Sequence, residues 1–306
     1  VSALRAFLTD PSQTKLIHSA SEDLEVFSHW LGVLPAPLFD TQRAAALLGL
    51  GAGQSYRALV AHFFDIELPK DETQSDWLQR PLTAAQAQYA AQDVTYLHPM
   101  GVQLLNLAME RHRLEWILEE GARLRPGGKP PIAKFKTAYR LPPEQQRVLA
   151  EVVDWREGEA RHRDRPRSWI LNDKIVTGVA RSVPRSVREL AAVEDMPQGL
   201  VRRAGDELVA RIVAAADTDS DQSTDMILKP LASEQRGLVS VLSERLKQIA
   251  ESLDIPAEVL MPKADLEHLV REQMNPSLAA PENWSGWRAD TVVVPLRQSL
   301  KERAAS

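Results

Sequence analysis

The sequence predicts an α/β layer over residues 1–125 followed by two all-helical domains, and three observations predict it. Up to about residue 125, short apolar runs bounded by turn signals alternate with segments of helical periodicity. Beyond that point no strand pattern recurs. An ungapped offset of 90 residues then relates two helical stretches: Glu144-Gln145 to Glu234-Gln235, Ala160 to Ala250, Asp164 and Pro166 to Asp254 and Pro256, and Val176 and Val179 to Leu266 and Leu269.

Taken in order, Ser2 to Leu8 reads as the end of a helix, and Asp10-Pro11-Ser12 as a turn. Thr14 to His18 is a short strand. Ser21 reads as an N-cap, and Leu24, Phe27 and Leu31, with Val26 and Trp30 between them, form an apolar helical face that stops at Gly32. Leu38-Phe39 leads into Asp40, with a helix from Ala44 to Leu50 and another from Ser55 to Phe64. Thr83 caps a long helix through about His112, and Leu114 to Leu124 continues in helical pattern. Two strands are too few for a stable sheet, so the remaining strands are expected upstream of Val1. The opening Val-Ser-Ala-Leu has neither an initiator Met nor a signal-peptide pattern and reads as a chain already under way.

No stretch is apolar enough to span a bilayer, which excludes membrane roles, and the chain has no cysteine. That excludes disulfides and thiolate zinc sites and fits a reducing compartment, with cytoplasm as the default. The net charge of −5 is unevenly spread, because residues 217–306 carry 10 Lys/Arg against 15 Asp/Glu while the rest is balanced. Within the balanced part, residues 123–140 hold six basic and no acidic residues among Pro and Gly, including Lys129, Lys134 and Lys136. This basic linker is either a solvated connector or a strap that meets phosphates. A second linker at residues 217–226 is polar and acidic.

Two clusters could carry chemistry. His18-Ser-Ala-Ser-Glu-Asp-Leu-Glu-Val-Phe27 is a strand end passing into an acidic first helical turn, which helix-dipole capping alone would also explain. Tyr89-Ala-Ala-Gln-Asp93 places a phenol and a carboxylate on one helix face, a spacing too common by itself to decide anything. Glu22 and Glu25 read as solvated charges, Asp40-Thr41 as a helix N-cap or a neighbour of the active site, and the seven His form no His-x-x-x-His pattern.

Together with Pro37-Leu-Phe-Asp-Thr-Gln42 and Asp76-Trp-Leu-Gln-Arg-Pro-Leu82, these segments, in this order and spacing, resemble ribonuclease D. The two helical repeats resemble its paired HRDC domains, with Ser285-Gly-Trp-Arg288 fitting the second. The resemblance implies a ribonuclease H-like exonuclease domain at 1–122, linkers at 123–140 and 217–226, and HRDC-like domains at 141–216 and 227–306. It implies a 3'-to-5' exoribonuclease that trims RNA 3' ends, tRNA precursors among them, with two divalent ions, Mg2+ or Mn2+, and releases nucleoside 5'-monophosphates. It implies Asp23 and Asp93 as metal ligands and Tyr89, with them, as catalytic; the family's Asp-x-Glu pair has no match here, and it precedes the region where this chain begins. With two ligands the chain as written is expected to be inactive. Hard cations take carboxylate oxygen, which is the reason such a site is acidic.

In the first repeat, Arg161, Arg163, Arg165 and Arg167 surround one Asp and are the best candidates there for meeting phosphates, a solvated loop being the alternative. Trp155 and Trp169 read as core. The acidic second repeat is expected to bind nucleic acid poorly and to serve as a spacer or packing domain. Two other functions remain open: a non-catalytic RNA-binding protein on the same fold, which the upstream Asp-x-Glu would decide, and a DNA-directed exonuclease, which matched RNA and DNA oligonucleotides would separate. No obligate protein partner is indicated.

Overall fold

A computed structural model describes residues 1–69, 75–128, 130–218 and 228–304. Lys129 and most of the acidic linker lie outside the described residues. The chain divides into two compact units, one of residues 1–127 with 231–306 and one of residues 128–230.

The first unit opens with helix α1 (Ser2–Thr9) and a turn in which Asp10 Oδ1 accepts from the Ser12 amide. Strand β1 (Lys15–Ile17) then pairs in parallel with β2 (Leu38–Asp40), Leu16 opposite Phe39. A parallel pair needs a crossover, and α2 (Ser21–Val26) supplies it. Among the described residues these are the only strands. Ser21 lies inside α2 and not at its cap. The cap is Ala20, whose backbone amide is held from outside the helix, by Asp40, at 2.9 Å. The helical path continues to Gly32 as expected, but Phe27–Leu31 widens into a π turn, leaving Val26 and Trp30 exposed while Leu24 and Leu31 are buried.

After β2 come α3 (Thr41–Leu47), α4 (Tyr56–Phe64, capped by Ser55), α5 (Ala84–Thr95), α6 (Leu97–Glu110) and α7 (Leu114–Arg123). The long helix expected from Thr83 to His112 is two helices. It begins as predicted, with a capping box between Thr83 and Gln86, but breaks at Tyr96, where the Tyr56 hydroxyl takes the backbone amide. Two glycines let helices lie against the strands. A Cβ on Gly101 would come within 2.6 Å of Leu16, and one on Gly121 within 1.9 Å of the Leu38 carbonyl oxygen.

The C-terminal helices of this unit are α13 (Ser233–Leu253), α14 (Ala257–Leu260), α15 (Lys263–Met274) and α16 (Val294–Ala304). They share one core with residues 1–127: Phe39, Leu47, Leu59, Met100, Leu104 and Ile117 are continuous with Leu242, Leu246, Leu269 and Val292. Trp287 stacks on Trp116 with centroids 4.5 Å apart. Arg288, 5% exposed, meets the buried Glu120 at 2.7 Å and donates to the Leu260 carbonyl. Burying this charge is tolerable only because it is paired and hydrogen-bonded.

The second unit contains α8 (Pro143–His162), α9 (Arg167–Ile170), α10 (Asp173–Ser182, capped by Asn172), α11 (Val187–Ala191, capped by Ser186) and α12 (Gln198–Ala216) around their own core. Residues 131–140, read above as part of a linker, are not a bare connector. They fold into two 3-10 turns, and Ile132 and Ala138 are buried in that core. Trp155 is buried and donates to Glu207. Trp169 is not core: it is 70% exposed, because α9 turns only Ile170 of its four residues inward.

Candidate active site and nucleic-acid interface

Asp23 lies in the first turn of α2, just past the carboxyl end of β1, and the carboxyl ends of parallel strands are where α/β sheets place ligands. Asp40, at the end of the neighbouring strand, is 3% exposed and accepts four backbone amides: Ser19, Ala20, Gln42 and Arg43. It therefore caps α3 and fixes the turn into α2 at once, so its role is to position the segment bearing Asp23. Burial raises the Asp23 carboxyl above its ordinary pKa, and the charges of Glu22 and Asp40 push the same way.

Tyr89 and Asp93 lie on α5. Among its residues only Gln86 is buried, and the Gln86 amide donates to the Asp76 carbonyl. At the other end, the Tyr56 hydroxyl donates to the Gln92 carbonyl at 3.1 Å and accepts the Tyr96 amide at 3.0 Å. Tyr56 thus holds the last turn of α5 beside Asp93. Its ring packs edge-on against His18, whose Nδ1 lies 3.0 Å from Thr41 Oγ1. The series Asp40, Thr41, His18, Tyr56 ties the carboxyl end of the strand pair to the helix of Tyr89 and Asp93. Burial raises the Asp93 carboxyl; burial and the Asp93 charge raise the Tyr89 phenol, with Arg57 opposing. Tyr89 also packs on Trp77, centroids 5.8 Å apart.

Sequence reasoning had no signal for Tyr56 or for His18 as a link, since both act through partners distant in the chain. Among the described residues, no three His, Cys, Asp or Glu side chains converge closely enough to hold a metal. Asp23 and Asp93 are hard oxygen donors whose raised pKa an adjacent cation would relieve, so they suit a divalent ion in kind while supplying only part of a ligand set.

The basic candidates fall into separate groups. Arg161 lies on the side of α8 that carries Glu157, which pairs with Arg167 at 3.2 Å. Lys134 is occupied by Asp173 at 2.6 Å, and Lys136 is exposed. Arg163 and Arg165 instead share a cleft with Trp169 and with Arg203, which the sequence reading missed.

Among the described residues no helix is long and apolar enough to cross a membrane. Residues 1–108 match the 3'-5' exonuclease domain family and residues 145–212 the HRDC domain family. Ribonuclease D of Pseudomonas paraeruginosa is 38% identical over 301 residues, covering 96% of this chain and 80% of that protein. Ribonuclease D of Escherichia coli K12 is 31% identical, covering 98% and 82%. The crystal structure of the Escherichia coli enzyme superposes with a TM-score of 0.84 at 31% identity, over 98% of this chain and 82% of that one. With an exonuclease domain, a nucleic-acid-binding HRDC domain and relatives aligned along nearly its whole length, the chain belongs to the ribonuclease D family of divalent-metal-dependent 3'-to-5' exoribonucleases.

Proposed function

We propose that this exoribonuclease trims the 3' ends of structured RNAs, tRNA precursors among them, at a two-metal site of which Asp23 and Asp93 are ligands and Tyr89 an orienting phenol. The observation that carries the assignment is the chain of contacts from Asp40 through His18 to Tyr56, which binds the Asp23 segment and the Asp93 helix to one end of the strand pair. The Escherichia coli relative is described as an exoribonuclease involved in structured RNA processing, which agrees with the substrate class.

Two Mg2+ or Mn2+ ions would activate water and relieve charge on the leaving oxygen. The chain's own residues supply the rest. Asp93 and Asp23 present oxygen donors; Asp40 and Tyr56 hold the segments that carry them; Tyr89 orients the nucleophile or the scissile phosphate from the same helix face as Asp93. Residues 227–306 are proposed as a second HRDC-like domain, on the strength of the 90-residue repeat and matched helices α8 with α13, α9 with α14 and α10 with α15. Arg161, Arg163, Arg165, Arg167, Lys134 and Lys136 are proposed as contributors to RNA backbone binding.

The test is single-turnover trimming of a labelled RNA with a structured body and a free 3' end, with Mg2+ or Mn2+, by a protein in which this chain is joined to the family's Asp-x-Glu pair, since Asp23 and Asp93 alone are too few ligands. Tyr89→Phe should slow the step about a hundredfold with little change in RNA affinity, and Asp93→Asn should slow it further. Wild-type rates in both variants would remove these residues from the site. Faster degradation of a matched DNA would favour the DNA-directed alternative.

A further inference from the structure

We infer that the cleft between α9 and the start of α12 is a binding site for one unpaired RNA nucleotide, its base on Trp169 and its phosphate between Arg165 and Arg203. The inference rests on the RNA-substrate reading above and gives it a specific contact outside the exonuclease domain. The cleft encloses about 530 Å3, within the range of small-ligand sites, and is lined by Arg163, Arg165, Trp169, Pro197, Gly199 and Arg203. No lining residue is acidic.

Trp169 is 70% exposed, with the Arg165 guanidinium 5.8 Å from its ring centroid. Among the described residues, Arg165 has no carboxylate within ion-pair distance, whereas Arg163 and Arg203 share the single carboxylate of Glu159. The cleft therefore keeps net positive charge beside an open aromatic face. An exposed aromatic with flanking arginines is how single strands are held, the base stacking and the cations following the backbone. A base stacked between neighbours inside a duplex has no free face to offer, so the occupant is an unpaired nucleotide.

The internal repeat provides independent support. Asp164 and Asp254 both take the left-handed conformation, φ 50° and 52°, and Pro166 matches Pro256. In this register Arg163, Arg165 and Trp169 correspond to Leu253, Ile255 and Val259. Those three aliphatic residues pack into the core shared with residues 1–127. The same surface that one repeat uses for a protein contact thus carries, in the other, residues chosen for an anion and a ring.

The experiment is anisotropy of the full chain with a labelled single-stranded oligoribonucleotide and with a blunt RNA duplex, in EDTA to prevent trimming, over a series of salt concentrations. Trp169→Ala should weaken single-strand binding about tenfold, equivalent to about 1.4 kcal/mol, and Trp169→Phe should restore most of it. Arg165→Ala and Arg203→Ala should each flatten the slope of log affinity against log salt by about 0.7. A Cβ on Gly199 meets open space, so Gly199→Leu should fill the cleft, match Trp169→Ala in binding and keep the wild-type Tm. Unchanged single-strand affinity in Trp169→Ala, or an equal loss with the duplex, would overturn the proposal. The metal assignment fails separately: tenfold weaker binding in Trp169→Ala beside normal trimming by Asp93→Asn would keep the cleft and remove Asp93 from the site.

Discussion

The two helical repeats begin from one plan and end facing different media. Each has a long first helix, α8 or α13, a left-handed Asp, a proline and a four-residue helix, α9 or α14. The first repeat closes its core on itself and presents arginines and Trp169 to water. The second presents aliphatic side chains at the same positions and continues the core of residues 1–127. Even the buried interior differs: Arg156, 1% exposed and paired with Asp173 at 2.8 Å, corresponds to Leu246, and Asp173 to Lys263. Backbone geometry was kept while surface chemistry was reassigned, so a repeat's role has to be read from its outward residues.

Four comparisons, made with six substitutions, test how deep this difference goes. The largest effect is expected from exchanging surfaces. Ile255→Arg would leave a guanidinium inside the shared core and cost about 5 kcal/mol in urea unfolding of the first unit, while Arg165→Ile should change stability by no more than about 0.5 kcal/mol. Equal costs would show that the two surfaces are not used differently. Next, Trp155→Ala should cost about 4 kcal/mol, since it empties a core site and removes the bond to Glu207. Trp169→Ala should barely move Tm.

The third is pH-dependent. Burial alone would raise Asp173, but hydrogen bonds from Lys134 and Arg156 outweigh it and hold its carboxyl below the ordinary 3.8. A depressed folded pKa means the stabilisation is present above 3.8 and is lost as pH falls through the folded value. Acid should therefore weaken the first repeat through this pair, while the second repeat has no such pair at Leu246 and Lys263. Asp173→Asn should remove the dependence and cost about 2 kcal/mol at neutral pH, less than a fully buried pair because Asp173 is 38% exposed. Thermal unfolding followed from neutral pH to pH 3 would check it. The smallest effect belongs to Gly199→Ala, which installs the second repeat's residue, Ala289, in open space. It should stabilise by about 0.5 kcal/mol and leave RNA affinity unchanged.

Much of the fold was legible where local chemistry decides it. Gly32, Ser55 and Thr83 end or begin helices as their residue types require, and the strand pair follows from apolar runs between turns. The repeat was legible as well, down to the matched Asp and Pro. What could not be read depends on partners far along the chain. Tyr96 breaks a helix because Tyr56, forty residues earlier, takes its amide. Asp40 reads as a simple cap, yet two of its four amides come from Ser19 and Ala20 on the other strand's turn. Trp169 is apolar by composition, and only the packing of α9 turns it to water. For the candidate site, Asp23, Tyr89 and Asp93 were proposed through resemblance to a family and not through spacing alone. Its supports were not legible.

The way α5 is held has a consequence for experiments on the candidate site. With Gln86 fastened at one end, Tyr56 at the other and no buried side chain between, the helix is a beam supported at its two ends, with the Tyr89–Trp77 ring contact along its span. Damage to the span leaves the supports standing, so substitutions at Tyr89 and Asp93 should register in chemistry and hardly in melting temperature. Damage to a support tilts the whole beam, and Tyr56→Phe should slow trimming without touching any residue that meets the RNA.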